Sequence, residues 1–227
     1  MVDVVKKDIR NLHLRVLPPA GRVRVTAPIR LKDSVIRLFV MSKLSWIKKH
    51  QLKFESMGQP VAHEFVSGEI HYYQGKQCEL NVFYHNAGPK VEYQGDGRID
   101  LYVRMGSDRI GRQKAMTEWY RAQLKEQIPE LVEKWQYIIG VEVDSWTVKK
   151  MKTRWGSCLV NSRRICFNLE LAKTPKHCLE YIVVHELTHI RERFHNARFK
   201  TLMDGFMPGW RQHQRELTDM AFSGACT

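Results

Sequence analysis

The chain has 227 residues, enough for one domain of ordinary size with a substantial core. Apolar residues make up 43% of it and charged residues 27%, which excludes a disordered or fibrous protein. No apolar stretch approaches the roughly 20 residues of a membrane-spanning helix, and the first eight residues lack the apolar core of a secretion signal. We therefore expect a single cytoplasmic domain over residues 1–227, with no membrane partner.

The five cysteines are odd in number, scattered, and contain no Cys-x-x-Cys pair. This excludes a disulfide framework and a cysteine zinc cluster as organising features. We expect them to be small apolar side chains in a reducing compartment. They are Cys78, Cys158, Cys166, Cys178 and Cys226.

The net charge of +13 is concentrated near the N-terminus, where residues 1–53 hold thirteen Lys or Arg against three acids. A segment with a charge of +10 attracts polyanions such as nucleic acid, nucleotide phosphates or acidic protein surfaces. A solvated basic face that keeps the protein soluble explains the same charge. Both interpretations stay open.

Residues 1–106 are predicted to form a basic, β-rich half with one helix. Apolar and basic residues alternate over residues 9–27 around Pro18-Pro19-Ala20-Gly21, which predicts a β-hairpin. Asp33 or Ser34 is a suitable cap for a helix that runs to about Lys53. Four short strands, separated by glycine-containing turns, are expected at residues 70–73, 78–84, 90–93 and 99–103.

Residues 107–227 are predicted to form a helical catalytic half. A long helix is expected over residues 107–139, interrupted or kinked at Pro129. A second small sheet is expected to follow, with strands at residues 142–148 and 165–169 and a turn at residues 161–163.

The next helix is predicted to carry the chemistry. Thr174 is a suitable cap for it and Pro175 suits its first position. With the elements above, the fold class is α+β, in which helices pack on a mixed or antiparallel sheet.

A His185-Glu186-Leu187-Thr188-His189 motif follows the apolar run of residues 181–184. Residues four apart lie on one face of a helix, so His185 and His189 can present ring nitrogens to one metal ion, with Glu186 beside it. Zinc lowers the pKa of bound water from about 15.7 to roughly 7, and an adjacent carboxylate accepts its proton. The motif therefore predicts a hydrolase in which Glu186 activates a zinc-bound water and then serves the leaving group.

A catalytic zinc usually has three protein ligands and one open position. The leading candidate for the third is His195, which a continued helix would carry roughly 240° away from the metal face at about 100° per residue. The helix is therefore expected to break within residues 190–194, and Asn196 is a suitable turn residue. Glu216 and His213 are the alternative ligands.

These residues resemble the YgjP-like metallopeptidase family, which is related more distantly to SprT-like and other zincin proteins. The resemblance implies a zincin-like fold whose HExxH helix packs near a small sheet. It also implies one Zn²⁺ per chain, bound by His185, His189 and His195, with Glu186 as the catalytic residue. Glu192 departs from the common three-histidine pattern, which has glycine there. The resemblance covers most of the chain and is carried by residues 153–158, 165–168, Leu171, 181–189, His195, Phe199, Pro208 and Trp210.

The resemblance also suggests a function for residues 154–158. In zincin folds a strand above the active-site helix lines the cleft and can pair with an extended substrate, and Arg154 would then bind an anionic group. The alternative is a strand whose Trp155 fills the core and whose Gly156 permits close packing.

Three functions follow. A zinc peptidase acting on a peptide or protein is favoured. A nucleotide or phosphoanhydride hydrolase would use the same metal centre with the basic segment and Arg154, although the chain has no glycine-rich phosphate loop. A nucleic-acid-binding protein with structural zinc would bind with steep salt dependence. The sequence does not specify the substrate or the oligomeric state.

Overall fold

The computed structural model describes residues 2–17, 21–56 and 63–222. The chain divides into two compact units, Met1–Ala62 and His63–Thr227. This division does not test whether the chain behaves as one domain, so that expectation stays a prediction. None of the helices in the described part of the chain combines the length and the apolar character needed to cross a lipid bilayer.

The first unit contains a three-stranded sheet and two helices. The predicted hairpin is confirmed, since β2 pairs antiparallel with β3, and its turn at residues 18–20 lies outside the described residues. An unpredicted strand, β1, pairs parallel with β3 on its other side. Alternate residues of β3 are buried and pack against Ile36. The strands are β1 (Val2–Lys7), β2 (His13–Leu17) and β3 (Arg22–Pro28), and the helices are α1 (Asp33–Ser42) and α2 (Leu44–Ser56).

The prediction of one helix over residues 33–53 is wrong in two respects. The helix is broken at Lys43, whose φ of −108° and ψ of 8° lie outside the helical region. Its N-cap is Lys32, with no side-chain capping bond, and Asp33 instead forms a salt bridge of 2.8 Å with Lys6. Asp33 is thus the first residue of α1 and not its cap.

The second unit begins with a four-stranded sheet in the order β4-β5-β7-β6. All four predicted strands are confirmed, with bounds β4 (Ile70–Tyr73), β5 (Lys76–Tyr84), β6 (Lys90–Tyr93) and β7 (Arg98–Val103). The long helix α3 (Arg109–Ile139) packs on the core with residues every third or fourth position. It runs without interruption through Pro129, which lies on its exposed face, so an interruption there is a wrong prediction.

A second small sheet holds β8 (Ser145–Lys149), β9 (Gly156–Leu159) and β10 (Arg164–Asn168) in the order β8-β10-β9. The two strands predicted here are confirmed with shifted bounds. The turn before β10 is also confirmed: residues 160–162 form a 3₁₀ helix and Arg163 adopts a left-handed conformation. β9 is an edge strand, paired antiparallel with β10.

Three helices complete the second unit: α4 (Lys176–Arg191), α5 (Ala197–Phe206) and α6 (Trp210–Phe222). Pro175 is the N-cap of α4, not its first residue, and the hydroxyl of Thr174 donates to the Leu171 carbonyl instead of capping the helix. The predicted cap is therefore wrong by one residue. The described residues form three small sheets and six α-helices, so the α+β class is confirmed.

Candidate metal centre

The centre is built on α4, whose opposite side anchors it in the core. Val183, Val184 and Leu187 are fully buried there, because an apolar stripe at helical spacing packs against the neighbouring elements. His185 and His189, four residues apart, share the other face, with their ring centroids 4.9 Å apart. This arrangement leaves both imidazoles at the edge of a cleft.

The predicted helix break lies where the sequence placed it. α4 ends at Arg191, and Glu192 follows with φ −143° and ψ 108°. This is extended backbone that any residue adopts, so glycine is not required at position 192. Asn196 then caps α5, its side chain accepting a hydrogen bond of 3.0 Å from the Phe199 amide.

This turn brings His195 to the two helical histidines. Nε2 of His195 lies 2.9 Å from Nε2 of His185, and one ring nitrogen from each of the three histidines falls within 4.8 Å of the others. Tetrahedral zinc with bonds of about 2.0–2.1 Å separates its ligand nitrogens by about 3.3 Å. The spacing of the three donors therefore fits one zinc ion.

The protonation of the histidines fits a metal as well. Burial, with the neighbouring His189 and His195, lowers the pKa of His185 to about 3, and burial also lowers the pKa of His189. Nδ1 of His189 lies 3.1 Å from the Glu192 carbonyl oxygen. A donated Nδ1–H there leaves the Nε2 lone pair for a cation. Neutral imidazoles are the form that binds metal.

Glu186 is 4% exposed and lies beneath the second sheet. Burial raises the pKa of its carboxyl to about 8, although the positive charge of Arg154 acts in the opposite direction and lowers it. Gly156 of β9 lies against this carboxyl. The close packing expected of Gly156 is therefore present, and its partner is the glutamate of the motif.

These groups open into a cleft of about 800 Å³. One wall is residues 154–162, including β9, and the other is formed by α4 and by residues of α6. Arg154 is exposed on the first wall, and its carbonyl oxygen accepts a hydrogen bond of 2.8 Å from the buried Asn168 side chain. Trp155 packs against the core. The segment thus lines the cleft and also contributes to the core.

The alternative third ligands do not reach this centre. Glu216 lies with Oε2 2.6 Å from Nε2 of His177, and His213 joins the same group. That group spans the first turn of α4 and the face of α6. Of the three candidates, the structure brings only His195 to His185 and His189.

Two further side chains support the centre, and the sequence analysis assigned neither of them a functional role. The buried ring of Phe199 contacts all three histidine rings, at centroid distances of 5.1, 4.7 and 4.8 Å. The Tyr181 hydroxyl lies 3.5 Å from Nδ1 of His185. Both residues are among those that carry the family resemblance, and that is the signal that could have identified them.

Three histidines with converging ring nitrogens and a buried glutamate at the floor of a cleft are the residue set of a metal-dependent hydrolase. The chain belongs to the YgjP-like family: the family model described as YgjP-like, metallopeptidase domain, matches residues 10–220. The resemblance noted in the sequence is thereby confirmed, and the protein is a metal-dependent peptidase by family.

Two solved structures are similar to part of the chain. They are the metallopeptidase zymogens abylysin of Pyrococcus abyssi and jannalysin of Methanocaldococcus jannaschii, each 20% identical. The abylysin match covers 41% of this chain and 91% of abylysin at a TM-score of 0.37, and the jannalysin match covers 41% and 93% at 0.36. Comparison with curated proteins gives no match.

Proposed function

We propose that this protein is a zinc-dependent peptidase in which Glu186 handles the proton of the attacking water. The observation that carries the proposal is the convergence of His185, His189 and His195 within 4.8 Å beside the buried Glu186. All four side chains line the same cleft. Other metallohydrolase reactions need the same metal chemistry, so the peptide substrate is drawn from the family.

His185, His189 and His195 would hold the zinc ion, each through one ring nitrogen. When bound, zinc lowers the pKa of a coordinated water to roughly 7 and polarises the scissile carbonyl. Burial keeps His185 and His189 neutral, and the Glu192 carbonyl opposite Nδ1 of His189 favours the tautomer that leaves Nε2 for the ion.

Glu186 is the general base and then the general acid. A cation at the histidines favours the carboxylate form, which brings its pKa down from the value of about 8 set by burial. The carboxylate accepts a proton from the attacking water. The resulting carboxyl donates that proton to the amine that leaves when the peptide bond breaks.

The substrate would lie along β9. In the described part of the chain this strand pairs only with β10, so its outer edge offers backbone groups to an extended peptide. Arg154, exposed where the strand begins, would bind a carboxylate of the substrate. This gives the peptide a direction across the centre.

Glu186→Gln tests the mechanism. We expect the variant to retain zinc and to cleave a peptide library at least about 10²-fold more slowly, since general acid–base catalysis contributes about 10²–10⁴-fold. Glu216→Gln, outside the cleft, is the matched control and should cleave at the wild-type rate. Full activity of the Glu186 variant would refute the mechanism.

Nucleoside triphosphates, assayed beside the peptides, separate the phosphoanhydride alternative from peptide cleavage. Binding of a polyanion by residues 1–53 stays a prediction, as does a cytoplasmic location. Binding to nucleic acid that weakens steeply with salt would support the former, and affinity independent of salt would exclude it.

A further inference from the structure

A second group of metal-binding side chains lies at the start of the second unit, on the four-stranded sheet. His63 and Glu69 flank a turn that leads into β4, and His71 is the second residue of that strand. One donor atom from each of the three side chains falls within 4.8 Å of the others. None of the three belongs to the centre on α4.

The distances within this group match those of metal ligands. Oε2 of Glu69 lies 3.3 Å from Nε2 of His71 and 3.4 Å from Nδ1 of His63. Tetrahedral bonds of about 2.0–2.1 Å to nitrogen and oxygen place ligand atoms about 3.3 Å apart. The carboxylate oxygen therefore stands at ligand spacing from both imidazole nitrogens.

His71 supplies an independent observation. Its side chain is only 3% exposed, and Nε2, which lies 3.3 Å from Oε2 of Glu69, has no hydrogen bond in the described structure. Buried polar atoms in proteins are almost always paired, so an unpaired one needs an explanation. The unpaired atom here is Nε2 of His71. It is aimed at the other two donors.

The backbone around the group holds the donors in place. The Glu69 carboxylate accepts hydrogen bonds of 2.7 and 2.9 Å from the amides of Glu64 and Phe65. The carbonyl oxygen of His63 accepts one of 2.8 Å from Nε of Arg109 on α3. The donors are therefore positioned by interactions that do not depend on a cation.

The stacked rings of His63 and His71, 4.4 Å apart, keep both imidazoles over the same carboxylate. The neighbouring Lys173 would repel a cation, but it is paired with Glu170 at 2.6 Å. This pairing reduces the repulsion.

We propose that His63, Glu69 and His71 form a second metal site, for a borderline divalent cation such as Zn²⁺ or Co²⁺. Two imidazole nitrogens and one carboxylate oxygen are donors that these ions accept. The ion would link His63, before the turn, to β4 and would coordinate the buried Nε2 of His71. This site is separate from the proposed catalysis.

Metal content of the full chain tests the site. The protein is reconstituted with excess Zn²⁺, freed of unbound ion by gel filtration, and its zinc is measured per chain. We expect two ions in the wild type, one in His189→Ala, one in His63→Ala and none in the double variant. His63 is chosen because its side chain is 31% exposed and its loss leaves no core cavity.

Two control variants locate the second ion. His85→Ala removes another histidine whose Nε2 is unpaired, and His177→Ala removes the most exposed member of the group with His213 and Glu216. Both should retain two ions. A second ion lost in His177→Ala and kept in His63→Ala would overturn the proposal.

The outcome remains decisive if His63→Ala folds poorly. The one ion left in His189→Ala must then be absent from the double variant His189→Ala/Glu69→Gln, and Co²⁺ titrated into His189→Ala must give the absorption bands of a four-coordinate site. A wild-type chain with a single ion, lost in His189→Ala, would exclude the second site and leave the catalytic centre intact.

Discussion

Gly156 and Glu186 approach so closely that a Cβ atom on Gly156 would lie 2.5 Å from Oε1 of Glu186. The first residue of an edge strand thus sets the position of the carboxyl on the helix beneath it. Gly156 does not have a left-handed conformation, so the requirement is for space and not for backbone freedom.

Gly156→Ala should therefore displace the Glu186 carboxyl. We expect peptide cleavage to fall by about 10²-fold, because a misplacement of about 1 Å in a catalytic group costs that much. Zinc content should remain at the wild-type level, since the histidines are not touched. Steady-state kinetics with zinc analysis on the same preparation measure both.

Gly205→Ala is the matched control. Gly205 lies inside α5, and nothing approaches its added Cβ within 4 Å. We expect unchanged cleavage and a stability gain of about 0.5–1 kcal/mol from the better helix former. Equal activity losses in the two variants would contradict the steric argument.

Asn196→Ala should weaken zinc binding without altering any ligand. The Asn196 side chain caps α5 directly after His195, and loss of a cap costs about 1 kcal/mol. The freed turn no longer holds His195 at the other two imidazoles, so the zinc dissociation constant should rise. Competition with a chromogenic chelator measures it.

Asp108→Ala separates a general loss of stability from the loss of the turn that positions His195. Asp108 caps α3 with a bond of 2.8 Å to the Gly111 amide. Its loss should destabilise the protein by a similar amount and leave the zinc affinity unchanged. A similar affinity loss in both variants would mean that general destabilisation, and not the turn, is responsible.

Glu180→Gln should lower the melting temperature at pH 7 but not at low pH. Burial alone would raise the pKa of Glu180, but its hydrogen bonds from Lys134 and Trp135 bring the net pKa below its ordinary value of 4.5. The stabilisation is therefore complete above pH 4.5 and is lost as the pH falls through the lowered pKa.

Thermal unfolding of wild type and variant from pH 7 to pH 3 checks this dependence. The difference in melting temperature should shrink below pH 4.5. Glu133→Gln, on the exposed face of α3, should show no such trend. A difference that stays constant across the range would show that charge does not contribute.

Asn168→Ala should loosen the segment that carries Arg154. The buried Asn168 side chain bonds the amide and carbonyl of Met151 and the carbonyl of Arg154. Leaving such groups unpaired costs about 1–3 kcal/mol. We expect lower stability in urea unfolding and a raised KM, since Arg154 would no longer be held at the cleft. A raised KM without lost stability would point to direct substrate contact instead.

Local patterns in the sequence predicted much of the fold. The alternation of apolar residues identified the hairpin and the four strands of the second unit, and helical spacing identified the face shared by His185 and His189. The angle per residue of a helix required the break before His195. These are properties of short segments, so they can be determined without knowledge of distant partners.

Predictions at the ends and interruptions of helices failed for a related reason. Asp33 forms an ion pair with Lys6 and does not cap α1. The Thr174 hydroxyl donates to the Leu171 carbonyl and does not cap α4. Pro129 lies on the exposed face of α3, which continues through it. The partners of Asp33 and Thr174, and the exposure of Pro129, are set by the folded chain and not by the neighbouring residues in the sequence.

Only the tertiary structure decided which donors meet. His195 joins His185, while His213 and Glu216 join His177, because the orientation of α6 on α4 depends on packing across the core. The contact of Gly156 with Glu186, and the approach of Glu69 to His63 and His71, depend likewise on strand pairing and turn geometry. The sequence by itself predicted the chemical type of the centre, because four-residue spacing on a helix is local. Its third candidate donor and its walls were decided by contacts between distant segments.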